Sequence, residues 1–406
     1  MQLYKTLLAH REIRDGVAKE QALLEHLFIT ARKCSETGAS LGLKMVCELI
    51  GLLHDFGKYI RLFQLYIRGE YKGNVNHSSA GAKVLEHIAK KVEAEHDIPA
   101  LLKRRGFGDK AWRLYREIIQ YSILAHHGLY DIIDSDFNYH TGLRLDYDKD
   151  NKYDFNTEGL KFFEFLNAEY EALVNKSINE LYYEGFLEFL DVHNKLEDIA
   201  GLTSEDPKIS RKALNFYYGA LIRLILSILK DADIYDSSNC FSEHKDRLYS
   251  KNELDEIWQD MSGKVSDLYK KFDNKPDKSQ LDIVRTKLSD NIYEFSKKHE
   301  KGAYKLSMPV GSGKTFASLR YSVANAKKFH KSRIFYCTAF LSVLEQNACE
   351  IKETLGENNR EHILEHHSNI IDEQPEEYEN ESDKDRKEYN VEEYFKESWE
   401  PPFILT

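Results

Sequence analysis

The chain of 406 residues is poor in residues that cross-link or interrupt a fold. Its five cysteines (Cys34, Cys47, Cys240, Cys337 and Cys349) are odd in number and have no CxxC spacing. That excludes a disulfide scaffold and a zinc knuckle, and favours buried thiols in a reducing compartment. Of seven prolines only Pro99, Pro207 and Pro276 fall in the first 300 residues, so long helices meet few breaks there. The N-terminal MQLYKTLLAHREIRDG lacks the apolar core of a signal peptide. Long hydrophobic runs are also missing: the longest, Ala220 to Leu229, is broken by Arg223 and is too short to span a bilayer. These absences lead us to expect a cytoplasmic protein with no membrane partner. Aromatic residues are not scarce, and 25 Tyr with 21 Phe suffice for real cores.

A surplus of basic charge is missing as well. The formal net charge of −11 would argue against nucleic acid, but it is unevenly spread. Residues 372–398 hold twelve acidic and four basic side chains, net −8, and read as a solvated acidic loop, leaving −3 for the rest. Three- and four-residue apolar steps predict helices over 41–58, 110–127 and 211–233. Near residue 300 the pattern changes. AYKLSM (303–308) reads as a strand, 314–330 as a helix, RIFYCTAF (333–340) as a strand and 341–355 as a helix, which indicates a parallel α/β arrangement. PPFILT reads as a third strand. We expect a helical domain over 1–250, a charged helical connector over 251–300 and part of an α/β lobe over 301–406.

Histidines and aspartates recur on the apolar helical faces. His26 shares a face with Leu23, Leu27 and Thr30, and His126 shares one with Tyr115, Ile119 and Ser122. His54 and Asp55 are adjacent, as are His126 and His127; His77 stands in NHSSAGA. Asp233 follows Leu229, Ile225 and Ile222 by four, eight and eleven residues; Asp231 competes with it, though the apolar stripe favours Asp233. Such groups facing a core are costly unless paired or metal-bound. Imidazole and carboxylate together suit a divalent transition metal such as Fe2+, Mn2+, Ni2+ or Co2+. An adjacent His-Asp pair lets the carboxylate bridge two ions, which can activate water and steady the leaving oxygen of a phosphodiester.

In their order, GLLHDFGK, HSSAGA, AHHG and DAD resemble the HD-superfamily phosphohydrolases. HSSAGA and AHHG are most similar to the nuclease domain of the CRISPR-associated helicase–nuclease of type I interference systems. The resemblance implies a multidomain fold: an all-α HD nuclease domain followed by part of a RecA-like helicase lobe. It implies His26, His54, Asp55, His77, His126, His127 and Asp233 as ligands of one or two metals, with Asp55 bridging. Lys58 would orient or charge-stabilise a phosphate, and Ser78 would hydrogen-bond it. The substrate implied is single-stranded DNA, reached through a guide-RNA surveillance complex at an R-loop.

The second anchor is MPVGSGKT (308–315). Gly311, Ser312 and Gly313 let backbone N–H groups close around a phosphate at a helix N-terminus; Lys314 would reach the β- and γ-phosphates of ATP, and Thr315 would hold Mg2+. Met308 stands where the full Walker pattern has glycine. That departure, with FYCTAFLSVLEQNA (335–348), resembles superfamily-2 helicases, in which Thr338, Ser342 and Gln346 would touch the DNA backbone. No DEAD- or DEAH-like run follows Thr315, so we expect weak ATP binding without turnover from a truncated lobe. Lys103, Arg104, Arg105, Lys110, Arg113 and Arg116 read equally as a phosphate funnel or as a solvated face, and Tyr130 and Tyr139 as candidate base-stacking rings. Two rival readings keep other classes open: a nucleotide phosphohydrolase with the same metal site, and a non-catalytic docking module.

Overall fold

The computed structural model describes residues 2–14, 17–73, 75, 77–128, 155–240, 249–367 and 399–406. Tyr130, Tyr139 and the acidic run 372–398 lie outside the described residues. The described chain divides into two compact units near residue 243, each with its own buried core.

The first unit opens on an antiparallel hairpin, β1 (Leu8–Arg14) and β2 (Val17–Ala22). Its root is buried at Leu8 and Ala9, while its tip exposes Ile13 and Val17. Helices follow: α1 (Leu23–Ala39), α2 (Lys44–Leu53), α3 (Arg61–Ile67), α4 (Ser78–Glu95), α5 (Ile98–Arg105), α6 (Lys110–Leu124), α7 (Leu160–Val174), α8 (Ile178–Thr203) and α9 (Pro207–Asn239). The unit is thus helical, as the periodicity indicates, except for the hairpin. Its core joins Leu23 and Leu27 of α1, Leu49, Ile50 and Leu53 of α2, Ile88 of α4, Ile119 of α6 and Ile225 and Leu229 of α9. Helix α9 starts on a side-chain cap, Asp206 accepting from Lys208 N at 2.8 Å, with Pro207 in its first turn. By length and composition α9 is apolar enough to cross a membrane, which the shorter run Ala220–Leu229 did not indicate. Its stripe Leu221, Ile225, Leu229 and Ala232 packs into the core.

In the second unit, residues 251–300 are more than a connector. They form α10 (Lys251–Asp273) and α11 (Gln280–Lys298). Ser250 and Ser279 start these helices with reciprocal capping boxes to Glu253 and Asp282. Ile257, Trp258, Met261, Val265 and Tyr269 of α10 are core residues, because they fall on one face at helical spacing. Then come α12 (Lys314–Phe329), β3 (Ile334–Tyr336), α13 (Leu341–Leu355), β4 (Ile363–Glu365) and β5 (Phe403–Leu405). The strands form one parallel sheet in the order β3-β5-β4, pairing Ile334 and Ile363 with Phe403. Phe403, Ile404 and Leu405 are fully buried, as expected of the central strand of a parallel sheet. The strand expected at 303–308 is absent from this sheet. Tyr304 and Leu306 remain about half exposed, so this run lacks the apolar burial that holds the observed strands.

Candidate metal centre

Five elements of the first unit converge on Asp55. Helix α1 supplies His26, which is wholly buried. His54 continues the backbone of α2, its N–H bonding to Ile50 O at 3.0 Å, whereas Asp55 leaves the helical region at φ −103°. This change of direction at a helix end puts two successive side chains into one site. His77 precedes α4, His126 and His127 follow α6, and Asp233 comes from the last turns of α9. Two glycines permit the close approach of these elements. A Cβ on Gly57 would lie 2.1 Å from His77 O, and one on Gly81 would lie 2.0 Å from Leu53 O.

The Asp55 carboxylate divides the site into two sides. Oδ1 lies 3.2 Å from His77 Nε2 and 3.3 Å from His126 Nε2, and His127 Nε2 is 2.7 Å from His77 Nε2. Oδ2 lies 3.2 Å from His26 Nε2 and 3.4 Å from His54 Nε2; Asp233 Oδ1 is 3.5 Å from each of these two nitrogens. Lys58 Nζ pairs with Asp55 Oδ2 at 2.6 Å. Asp55, His54 and His126 are buried, Asp233 and His77 are nearly so, and His127 stands at the exposed rim.

The rings are held from behind by their other nitrogens. His54 Nδ1 donates to Gly51 O at 2.8 Å, His126 Nδ1 to Ile123 O at 2.6 Å and His26 Nδ1 to Asp236 Oδ2 at 2.5 Å. A neutral ring that donates through Nδ1 offers a bare lone pair at Nε2. Asp55 Oδ1 and His126 Nε2 are both buried and have no hydrogen-bond partner, although they face each other. Lone pairs converging in this way repel unless a cation lies among them. The donor set, imidazole nitrogens and carboxylate oxygens with fixed outer partners, therefore fits a divalent transition metal. Among the described residues, two groups have ligand atoms close enough to hold an ion, Asp55-His77-His126-His127 and His10-His26-Asp55-Asp233.

Without a metal, protons would take the cation's place. Burial works against a charged His54, but Asp55 and Asp233 outweigh it and push the imidazole up to about 10. Burial likewise opposes charge on His26, yet its hydrogen bonds to the Asp236 and Asp55 carboxylates raise it. Asp55 is held well below the usual carboxylate range by Lys58 and His54 despite its burial. His127 is pushed well below the usual imidazole range by burial and by its neighbours His126 and His77.

Every histidine and aspartate of the expected ligand set lies at this centre. Asp231 is exposed. Lys58 reaches Asp55, and Ser78 is buried in the first turn of α4, next to His77. Two residues were missed. Asp236 sits one turn beyond Asp233, a spacing of three that places both on one helix face and is visible in DADIYD. His10 lies on β1, and nothing in its surroundings in the sequence marks it. The basic stretch is partly paired, Arg105 with Asp191 at 2.9 Å and Arg113 with Glu117 at 3.3 Å, which favours the solvated-face reading for those two.

In the second unit the phosphate-loop pattern forms a turn at the start of α12. Gly311 and Gly313 take φ of 74° and 84°, conformations that side chains disfavour. Arg285 of α11 donates to Gly311 O from Nε (2.9 Å) and Nη2 (2.6 Å). Ser312 Oγ donates back to Pro309 O at 2.6 Å, and Thr315 Oγ1 donates to Asn347 Oδ1 at 3.0 Å. Lys314 is exposed at the mouth of the loop. Thr338 N bonds to Thr406 O at 2.9 Å, and Ser342 and Gln346 lie exposed on one face of α13.

The comparisons agree with this division. Residues 252–396 match the family described as type III restriction enzyme, res subunit, a helicase-type domain. No curated protein matches the chain. Residues 23–237, more than half of the sequence, match the HD domain. With a helicase-type domain after it, the arrangement is that of an HD–helicase fusion, and the chain belongs to the HD domain family.

Proposed function

We propose that the chain is a metal-dependent nuclease acting on single-stranded DNA, and that its helicase-type domain binds ATP and Mg2+ weakly as part of a helicase whose complete form would move 3′ to 5′ along that strand. The setting we infer is CRISPR type I antiviral defence, with recruitment by a guide-RNA surveillance complex at an R-loop. The observation that carries the hydrolytic part is the Asp55 carboxylate shared between two sets of imidazoles. The HD match followed by a helicase-type match supports a nuclease–helicase fusion. The motifs HSSAGA and AHHG carry the narrower resemblance.

His26, His54, Asp55 and Asp233 would hold an ion on one side, and Asp55, His77, His126 and His127 one on the other. A bound divalent metal supplies the Lewis acidity that makes water a nucleophile at neutral pH and steadies the departing oxygen. The protein's own groups do the rest. Carbonyls of Gly51 and Ile123 and the carboxylate of Asp236 fix the rings, so no reorganisation is needed during reaction. The Lys58 ammonium adds positive charge where a phosphodiester would gain negative charge.

The test is cleavage of single-stranded DNA with Mn2+ or Ni2+ by Asp55→Ala. We expect a loss exceeding the ~10–100-fold that outer partners of a metal site are worth. Undiminished cleavage would overturn the proposal. Hydrolysis of free nucleotides, with DNA left intact, would replace the substrate class.

A further inference from the structure

We infer that His10, on the N-terminal hairpin and outside the segment that matches the HD domain, is a further metal ligand of this centre, on the side of His26, Asp55 and Asp233. The inference rests on the metal-centre reading above and extends its ligand set. Each of these four residues offers one ligand atom, and the four atoms lie within 4.8 Å of one another. His10 stands edge-on to His26, with ring centroids 4.8 Å apart.

The atom that faces the site is Nε2. It accepts from Lys58 Nζ at 3.3 Å, and Ser237 Oγ lies 3.1 Å away. Lys58 can only donate, so Nε2 is the unprotonated nitrogen of His10 and carries the lone pair that a ligand needs. Ser237 also donates to Asp233 Oδ1 at 3.4 Å, and Lys58 to Asp55 Oδ2, so each neighbour of His10 also contacts an acidic ligand.

The hairpin is built to hold this position. The pairing of β1 with β2 shifts register between Leu8 and His10, a bulge of the kind that re-aims a side chain beside an active site. Gln64, buried on α3, clamps the strand just before the bulge. It accepts from Leu8 N at 3.0 Å and donates to Leu8 O at 2.9 Å. The same amide donates to Lys58 O at 2.7 Å, tying the strand to the turn that carries Lys58. Across the ladder, Gln21 pairs with His10 and sends its own Nε2 to Asp236 Oδ2 at 2.8 Å. The hairpin thus brings one candidate ligand and one outer partner to a centre otherwise made of helices.

The test is Mn2+ binding to the full chain by equilibrium dialysis, with thermal melting of the metal-free protein as the folding control. For the unaltered chain we expect about two ions. His10→Ala should keep its melting midpoint and weaken one of them by at least about tenfold. His10→Gln retains an acceptor for Lys58 but is a poor ligand, and it should show the same loss. Wild-type binding by His10→Gln would mean that His10 only positions Lys58, and would overturn the inference. Wild-type binding by His10→Ala would also overturn it, provided Asp55→Ala strips the metal. If Asp55→Ala keeps its metal, the metal-centre reading itself falls.

Discussion

Asp55 is wholly buried and meets imidazole nitrogens on both carboxylate oxygens, with an ammonium at 2.6 Å. A single carboxylate among so many cationic or lone-pair partners has a consequence for pH. In the metal-free protein His54 titrates near 10, above its ordinary value of 6.5. The raised pKa stabilises the metal-free fold fully below about pH 6.5, and this contribution is lost as pH rises through about 10. Metal binding runs the other way, because the ion must displace that proton. We therefore expect apparent Mn2+ affinity to rise with pH between about 7 and 9, by roughly tenfold per unit if one proton leaves. Calorimetry in buffers of different ionisation enthalpy would count the protons released. A pH-independent affinity with no release would show that His54 is not a ligand. The candidate ligand residues were legible in the sequence because they lie on or beside apolar helical faces, where a buried imidazole or carboxylate is tolerable only when paired or metal-bound. Asp236 was readable from its spacing. His10 was not, since its approach depends on a bulge and on the side chain of a residue more than fifty positions away.

Among the elements, helix ends do most of the positioning. The end of α2 turns His54 and Asp55 inward, the end of α6 supplies His126, and the start of α4 carries His77. These ends come together because Gly57 and Gly81 have no side chain at the contact. The carbonyl oxygens of His77 and Leu53 occupy the space where Cβ atoms would be. Both obstacles are backbone, which cannot swing aside as a flexible side chain can. We expect Gly81→Ala to force α4 away from α2, at a cost of about 1–3 kcal/mol or more, and to weaken metal binding as well, since His77 begins that helix. Thermal melting and metal content should fall together. A Gly81→Ala variant with an unchanged melting midpoint would show that the contact relaxes freely. Periodicity revealed where the long helices run. It did not reveal the hairpin, whose tip is exposed, or β4, a three-residue strand whose pairing depends on the distant β5.

For the whole molecule, the two units draw on separate cores: one extends from Ala9 to Ala232, the other from Ile257 to Leu405. The candidate metal-ligand side chains all belong to the first, and the phosphate-loop residues all belong to the second. The change of pattern near residue 300 made the α/β part visible, but not that α10 and α11 belong to it, because their mostly charged surfaces read as a solvated linker. Separate cores lead to separate responses to ligands. A ligand that binds only the folded state stabilises its own unit by RT ln(1 + [L]/Kd), about 2.7 kcal/mol at a hundredfold excess over Kd. For a unit of this size that corresponds to a rise of roughly 5–11 °C in its melting midpoint. Calorimetric melting with Mn2+ should move the transition of the helical unit by about this much and leave that of the second unit in place. Asp55→Ala should abolish the shift, which identifies the transition. ATP with Mg2+ should do the reverse, moving only the transition that Asp55→Ala leaves insensitive to Mn2+. If Mn2+ moves both transitions together, the units do not melt independently, and the division of the chain into a metal-binding and a nucleotide-binding unit with separate stabilities fails.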